Sequence, residues 1–157
     1  MKLPLIKIAV TCMLVLTTNI ALADVAKSEK HAKSATKLRH AVFTMLGANM
    51  GTLGGMAKGK IPFDAKVIEK SATRMNQLSL MIADYTKTDT SAFNVQTEAS
   101  PKVWNNRGEF EKRINALTLA SSKLMIAAQS GDKNTIKSAI GGVGKTCGGC
   151  HKNFKQD

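Results

Sequence analysis

Apolar residues recur at three- and four-residue intervals along most of the chain, which is the spacing of one face of an α-helix. No segment alternates apolar and polar residues for long enough to predict a strand. The first predicted helix begins at Asp24 or Ser28 and ends at Ala57, because Gly59 and Pro62 follow and both terminate helices.

Three further helices have recognisable first residues. Asp64 is a favourable N-cap for the second helix, and Ser100 and Pro101 are placed as N-cap and first residue of the third. Gly131 ends the third helix, and Asp132 caps the fourth. Four amphipathic helices joined mainly by short connections predict an all-α fold, an antiparallel four-helix bundle.

The first helix carries two adjoining stripes of mostly apolar residues. One stripe consists of Leu38, Val42, Met45, Asn49, Leu53 and Met56. The other consists of Arg39, Phe43, Leu46 and Met50. Together they predict a buried face broader than one neighbouring helix would cover.

Residues 1–23 have the layout of a secretory signal peptide. Lys2 and Lys7 give a basic start, a mostly apolar run follows, and small residues end it. The run is too short and too often interrupted by polar residues for a membrane anchor. We expect cleavage between Ala23 and Asp24, a domain of residues 24–157, a periplasmic location and no membrane contact after cleavage.

The basic charge of the chain does not indicate a nucleic-acid partner. The 157 residues include 23 basic and 11 acidic side chains, for a net charge of +12, and removal of Lys2 and Lys7 with the signal leaves +10. The lysines are dispersed, aromatic residues are few, and export would separate the protein from nucleic acids. We interpret the charge as a solvated surface that steers the protein toward acidic partners.

The residues with the clearest chemistry form a C-x-x-C-H motif. Cys12 lies in the predicted signal, so the mature chain keeps only Cys147 and Cys150, which His151 follows. This is the attachment signature of haem c. Residues three apart share one face of a helix, so both thiols can bond to vinyl groups on one side of a single porphyrin, and the histidine can bind its iron. The two glycines between the cysteines leave room for the macrocycle.

The motif has three other interpretations. A thioredoxin-like redox pair would follow a strand, and the pattern predicts none. A structural zinc site needs four ligands, and beyond the motif only His31 and His40 remain, without the usual ligand spacing. A disulfide across the pair would explain neither the histidine nor the broad apolar face of the first helix.

The position of the motif restricts the second axial ligand of the iron. Six residues follow His151, so we expect any sixth ligand to come from an earlier helix. The side chains able to supply it are His31, His40, Met45, Met50, Met56, Met75, Met81 and Met125. Most of these methionines fall on or beside core stripes, where methionine usually serves packing.

A C-terminal C-x-x-C-H motif in a four-helix bundle resembles the cytochromes c′, the class II c-type cytochromes, which are themselves a standard example of this fold. The resemblance covers the whole predicted domain. It is carried by Leu38-Arg39-His40 through Met45-Leu46-Gly47 to Lys58-Gly59, Pro62-Phe63-Asp64-Ala65, Phe93, Thr97-Glu98, Pro101-Lys102-Val103-Trp104 and Gly131-Asp132.

The resemblance implies roles for five residues outside the motif. Arg39 is expected near the haem propionates, and His40 at a haem-contacting position. Phe43 is expected to cover the vacant face of the iron, and Thr97 and Glu98 to border the haem edge.

The sequence departs from the family pattern at two positions. Lys155 stands where the family often has an arginine near the proximal histidine, and it keeps the charge without the planar fork. Phe43 stands where leucine or methionine is common, and its bulk should restrict ligand access.

The resemblance also implies a function. We expect one covalent haem c with five-coordinate iron, binding of nitric oxide and carbon monoxide, one-electron transfer to an unidentified partner protein, and a homodimer formed through the first helix. We predict no enzymatic turnover, because only Arg39 and His40 could act as acid or base near the iron. The alternatives are a six-coordinate His/Met electron carrier with little gas binding, and a gas-sensing or gas-buffering module with no electron-transfer role.

Overall fold

The computed structural model describes residues 24–156, most of which are helical. The elements in chain order are β1 (Asp24–Val25), α1 (Glu29–Ala57), α2 (Ala65–Tyr85), β2 (Thr88–Asp89), α3 (Lys102–Asn105), α4 (Arg107–Ser130) and α5 (Lys133–Phe154). Helices α1, α2, α4 and α5 form an antiparallel four-helix bundle, which confirms the predicted fold class. The predicted signal peptide lies outside the described residues. No helix among residues 24–156 is both long enough and apolar enough to cross a membrane.

The helix ends follow the capping residues that the sequence offers. The Ser28 hydroxyl accepts a hydrogen bond from the His31 amide, and Asp64 Oδ1 accepts one from the Lys66 amide. At the C-termini of α1 and α4, Gly59 and Gly131 have φ angles of 70° and 71°, a conformation that costs little only for glycine. These ends agree with the prediction.

The predicted third helix is broken in the structure, so a single helix beginning at Ser100 and Pro101 was wrong. Pro101 is itself the N-cap of α3, and the Ser100 hydroxyl makes no capping bond. Asn106 then leaves the helical conformation, with φ −129° and ψ 51°, and α4 begins at the next residue. The physical reason lies in the contacts that flank the break: the Trp104 indole and the Arg107 guanidinium both donate to the carbonyl oxygen of Thr86, at the end of α2.

Short extended pairings tie the loops to the bundle, and the sequence pattern did not predict them. Strands β1 and β2 pair in parallel over two residues each. An antiparallel bridge joins Ala99 to Lys155. Segments of one or two residues are too short to carry an alternating pattern, which is why the periodicity gave no signal.

The core lies on the inward faces of the four long helices, and α1 is less buried than predicted. Its buried residues are Ala32, Arg39, Val42, Leu46, Leu53 and Met56. Three side chains assigned to its stripes are exposed: Leu38 (50%), Met45 (46%) and Phe43 (37%). Of the adjacent pairs of long helices, α1 and α5 make the fewest contacts with each other.

Candidate haem site between α1 and α5

One contact fixes the register of α1 against α5. The terminal methyl of Met50 lies 3.7 Å from the position that a Cβ would occupy at Gly144. Phe43 precedes Met50 by seven residues, and His151 follows Gly144 by seven. Seven residues are about two helical turns, or about 10 Å, and the two helices run in opposite directions. Phe43 and His151 therefore lie at the same level of the bundle, on facing sides of α1 and α5.

The two cysteines are in the last turns of α5, half-buried against the core. Burial raises the pKa of the Cys147 thiol. Burial, with a smaller contribution from Cys147, raises the pKa of Cys150 to about 11, although the Arg113 cation opposes this rise. These cysteines therefore do not have the lowered pKa that is typical of a thiolate redox pair.

Arg39 lies on α1 one turn before Phe43 and is buried, with 3% of its surface exposed. Its Nη2 donates to the hydroxyls of Thr36, Thr90 and Thr97 at 3.2, 3.2 and 3.0 Å. Its Nη1 is buried and has no hydrogen-bond partner among the described residues. Burial lowers the pKa of this guanidinium, yet an arginine remains charged, so the site presents a cation with an unused donor.

Trp104 completes the surroundings of Arg39. The guanidinium carbon of Arg39 lies 5.1 Å from the centre of the Trp104 ring, within the range of a cation–π interaction. The Trp104 indole is itself held by its hydrogen bond of 3.0 Å to the Thr86 carbonyl. The sequence offered Trp104 only as part of a family pattern, and it gave no signal for Thr90.

Thr97 and Glu98 form one rim of the site with the end of α5. The Gln156 amide donates to the Glu98 carbonyl at 2.8 Å, and Lys155 Nζ lies 3.7 Å from Glu98 Oε2. The Gln156 side chain donates to the Thr97 carbonyl at 3.0 Å. The structure thus brings together Arg39, the loop that carries Thr97 and Glu98, and the residues that follow His151.

Of the histidines and methionines considered as a second axial ligand, three lie away from the position opposite His151. His40 is exposed on α1, next to Arg39, and His31 serves the N-terminus of that helix. Met45 is two residues from Phe43, a rotation of about 200° around the helix, so it points to the other side of α1 from Phe43. Among residues 24–156, no three His, Cys, Asp or Glu side chains are grouped so that they could hold a metal ion.

The residues present fit a covalently attached haem. The two thiols share one face of α5, and a Cβ added at Gly148 or Gly47 would meet nothing within 4 Å. The Nη1 of Arg39 is a buried cationic donor without a hydrogen-bond partner among the described residues, although the Asp89 carboxylate is near enough to favour its charge, and haem carries two carboxylates that could accept from it. An apolar side chain, Phe43, stands across from His151.

Comparison with known proteins agrees with this geometry. A family model described as Cytochrome C' matches residues 34–155. Cytochrome c' of Rubrivivax gelatinosus is 34% identical over 128 residues, which are 78% of this chain and 94% of that protein. Cytochrome c-554 of Cereibacter sphaeroides is 28% identical over 139 residues, covering 87% of this chain and 90% of that protein.

Solved structures are similar over the same region. Cytochrome c prime from Shewanella frigidimarina is 34% identical and superimposes with a TM-score of 0.73, covering 80% of this chain and 97% of that one. A ferrous variant of cytochrome c prime from Alcaligenes xylosoxidans with bound NO is 26% identical, with a TM-score of 0.71, covering 80% of this chain and 96% of that one. Proteins of this family bind one covalent haem c and serve as electron carriers or gas-binding proteins, not as enzymes. The chain belongs to the cytochrome c′ family.

Proposed function

We propose that Cys147 and Cys150 hold the haem through two thioether bonds and that His151 is the proximal iron ligand. For this chemistry the chain supplies two thiols on one face of α5 and, one residue after the second thiol, an imidazole. Arg39, with its unused donor, would bind a haem carboxylate, and Thr97 and Glu98 would border the same edge. His40 would contact the haem from α1.

The second axial position of the iron is proposed to be vacant and open to small diatomic gases. The observation that carries this proposal is the contact between Met50 and Gly144, which by helical geometry puts Phe43 at the level of His151, and a phenyl ring cannot bind iron. Of the two nearest methionines on α1, Met45 is on another side of the helix and Met50 contacts α5 about two turns away. An apolar cover without a ligand atom favours nitric oxide or carbon monoxide over a sixth protein ligand.

The cofactor would supply a one-electron couple and a gas-binding iron, so the protein would both bind gas and exchange electrons. A mature chain that begins at Asp24 and acts in the periplasm accords with the signal layout of residues 1–23. The positive net charge would favour an acidic redox partner. Nitric oxide is the ligand in the solved A. xylosoxidans relative, which supports the choice of gas.

A homodimer is also proposed, formed through α1. Leu38 and Met45 are exposed apolar side chains seven residues apart, so they lie on one side of that helix. Light scattering on the mature holoprotein should give twice the chain mass, and Leu38→Glu should return it to one. A single-chain mass for the unmutated protein would contradict the dimer.

The visible spectrum of the purified mature protein tests the haem proposal. Colour that stays with the polypeptide after extraction with acidified acetone would support thioether attachment, and Cys147→Ser with Cys150→Ser should abolish it. The reduced protein should give a broad, unsplit visible spectrum that changes when nitric oxide is added. Sharp, split visible bands that do not respond to the gas would instead identify the six-coordinate His/Met carrier.

A further inference from the structure

Arg113 is a cation on α4 that neither the motif nor the family pattern singled out. Its Nη2 forms an ion pair of 2.7 Å with Glu109 Oε1, one helical turn earlier. Both side chains are about one third exposed, at 37% and 33%. The Nε of Arg113 is buried and has no hydrogen-bond partner among residues 24–156. The guanidinium is thus partly removed from water and held in place by one carboxylate.

The guanidinium lies against the segment that carries the cysteines. Its Nη1 is 3.6 Å from the position of a Cβ at Gly149, the residue before Cys150. Packing one turn away keeps the two helices in this register, because the rings of Phe110 and Phe154 meet edge to face at 5.0 Å. The charge of Arg113 is therefore fixed beside the thiol-bearing turn of α5.

We propose that Arg113 and Glu109 act as an opposed pair that sets the reduction potential of the haem, Arg113 raising it and Glu109 lowering it. This inference rests on the proposed attachment of the haem at Cys150. Reduction adds one electron and so makes the haem less positive. A nearby cation favours the reduced form, and a carboxylate that neutralises this cation opposes the effect. Partial burial limits screening by water and salt, so the charges act more strongly than equal charges on the open surface.

The chain offers a matched control for this pair. Lys112 is adjacent to Arg113, and its Nζ lies 3.8 Å from the same Glu109, but its side chain is 79% exposed. Lys112→Gln and Arg113→Gln remove the same net charge from the same turn of α4. Only Arg113→Gln removes a charge fixed against α5, so the two variants separate the local effect from the overall charge of the protein.

The test is a spectroelectrochemical titration of four purified holoproteins beside the unmutated one. Arg113→Gln should reduce the ferrous-to-ferric ratio at a fixed mediator potential by roughly threefold, where a tenfold change corresponds to about 59 mV. Glu109→Gln should shift the ratio in the opposite direction. Arg113→Lys should restore most of the original ratio, and Lys112→Gln should leave it within about 1.5-fold.

Each result has a definite meaning. Equal ratios for Arg113→Gln and Lys112→Gln, or shifts of the same sign for Arg113→Gln and Glu109→Gln, would overturn the inference while leaving haem attachment intact. If Arg113→Gln does not yield folded protein, the upward shift in Glu109→Gln remains the deciding measurement. Loss of all colour from the unmutated polypeptide in acidified acetone would instead overturn the proposed attachment at Cys150.

Discussion

Arg39 Nη2 donates a hydrogen bond of 3.0 Å to the hydroxyl of Thr97, 58 positions later in the chain. This bond joins the helix that carries Phe43 to the loop that ends beside the C-terminal residues of α5. The same nitrogen also donates to Thr36 on α1 and to Thr90, so one buried cation holds α1 to two points of the connection between α2 and α3 at the rim of the haem site.

Replacement of Arg39 by methionine should therefore destabilise the protein. The change removes three hydrogen bonds and the contact with Trp104. The free energy of unfolding of the holoprotein should fall by about 2 kcal/mol in a urea titration. Lys37→Met, at an exposed position two residues earlier, should change it by less than about 0.5 kcal/mol. Equal losses in the two variants would mean that the buried bonds of Arg39 do not contribute.

Replacement of Phe43 by alanine should open the path of gases to the iron. We expect the association rate of carbon monoxide with the reduced protein to rise about tenfold, equal to about 1.4 kcal/mol of activation free energy, and flash photolysis measures it directly. Leu38→Ala removes an exposed apolar side chain from another side of α1 and should leave the rate unchanged. A rate that does not respond to Phe43→Ala would contradict the assignment of this residue to the gas-binding face.

Two glycines should respond to alanine with opposite signs. Gly131 has φ 71° at the end of α4, where a Cβ is strained, so Gly131→Ala should lower the free energy of unfolding by about 1 kcal/mol. Gly141 lies within α5 at an exposed position where a Cβ meets nothing within 4 Å. Gly141→Ala should raise the free energy of unfolding by about 0.5–1 kcal/mol. Denaturant titrations measure both variants, and an unchanged or raised free energy of unfolding for Gly131→Ala would show that the backbone at Gly131 is not strained.

The N-cap of α5, Asp132, should make the stability of the protein depend on pH. Hydrogen bonds from Thr135 hold the pKa of Asp132 below its ordinary value, and the Thr135 amide bond to Asp132 Oδ1 measures 2.7 Å. A carboxyl whose pKa is lowered by folding stabilises the fold above its unfolded pKa, and the contribution is lost as the pH falls through the folded pKa. The unmutated protein should exceed Asp132→Ala in melting temperature at pH 6, and the difference should shrink below about pH 4. A difference that is constant with pH would show that the ionised form is not needed.

The helix boundaries were predictable because they depend on local chemistry. Ser28, Asp64 and Asp132 cap helices with their own side chains, and Gly59 and Gly131 adopt backbone angles that suit glycine. The break at Asn106 was not predictable. It accompanies hydrogen bonds from both sides of the break to a carbonyl on α2, and a periodic pattern holds no information about such distant acceptors.

The site was predictable to a smaller extent. C-x-x-C-H indicates haem because its spacing is local, whereas the opposition of Phe43 and His151 depends on how α1 and α5 are aligned. Apolar periodicity also could not tell which apolar residues of α1 face the core, so Leu38 and Met45 were assigned to it wrongly. The place of Arg113 beside Gly149 likewise follows from helix register and not from any motif.

The antiparallel bridge between Ala99 and Lys155 couples the motions of the rim. The Ser100 amide donates to the Phe154 carbonyl, and the Gln156 amide donates to the Glu98 carbonyl. Because Thr97 and the end of α5 are joined by these hydrogen bonds, fluctuations that free one should free the other, and the amides of both should show the same protection factor in hydrogen–deuterium exchange. The loop at Thr97 and the end of α5 would then open together as one unit, and the frequency of this opening would limit how often the haem edge is exposed to solvent.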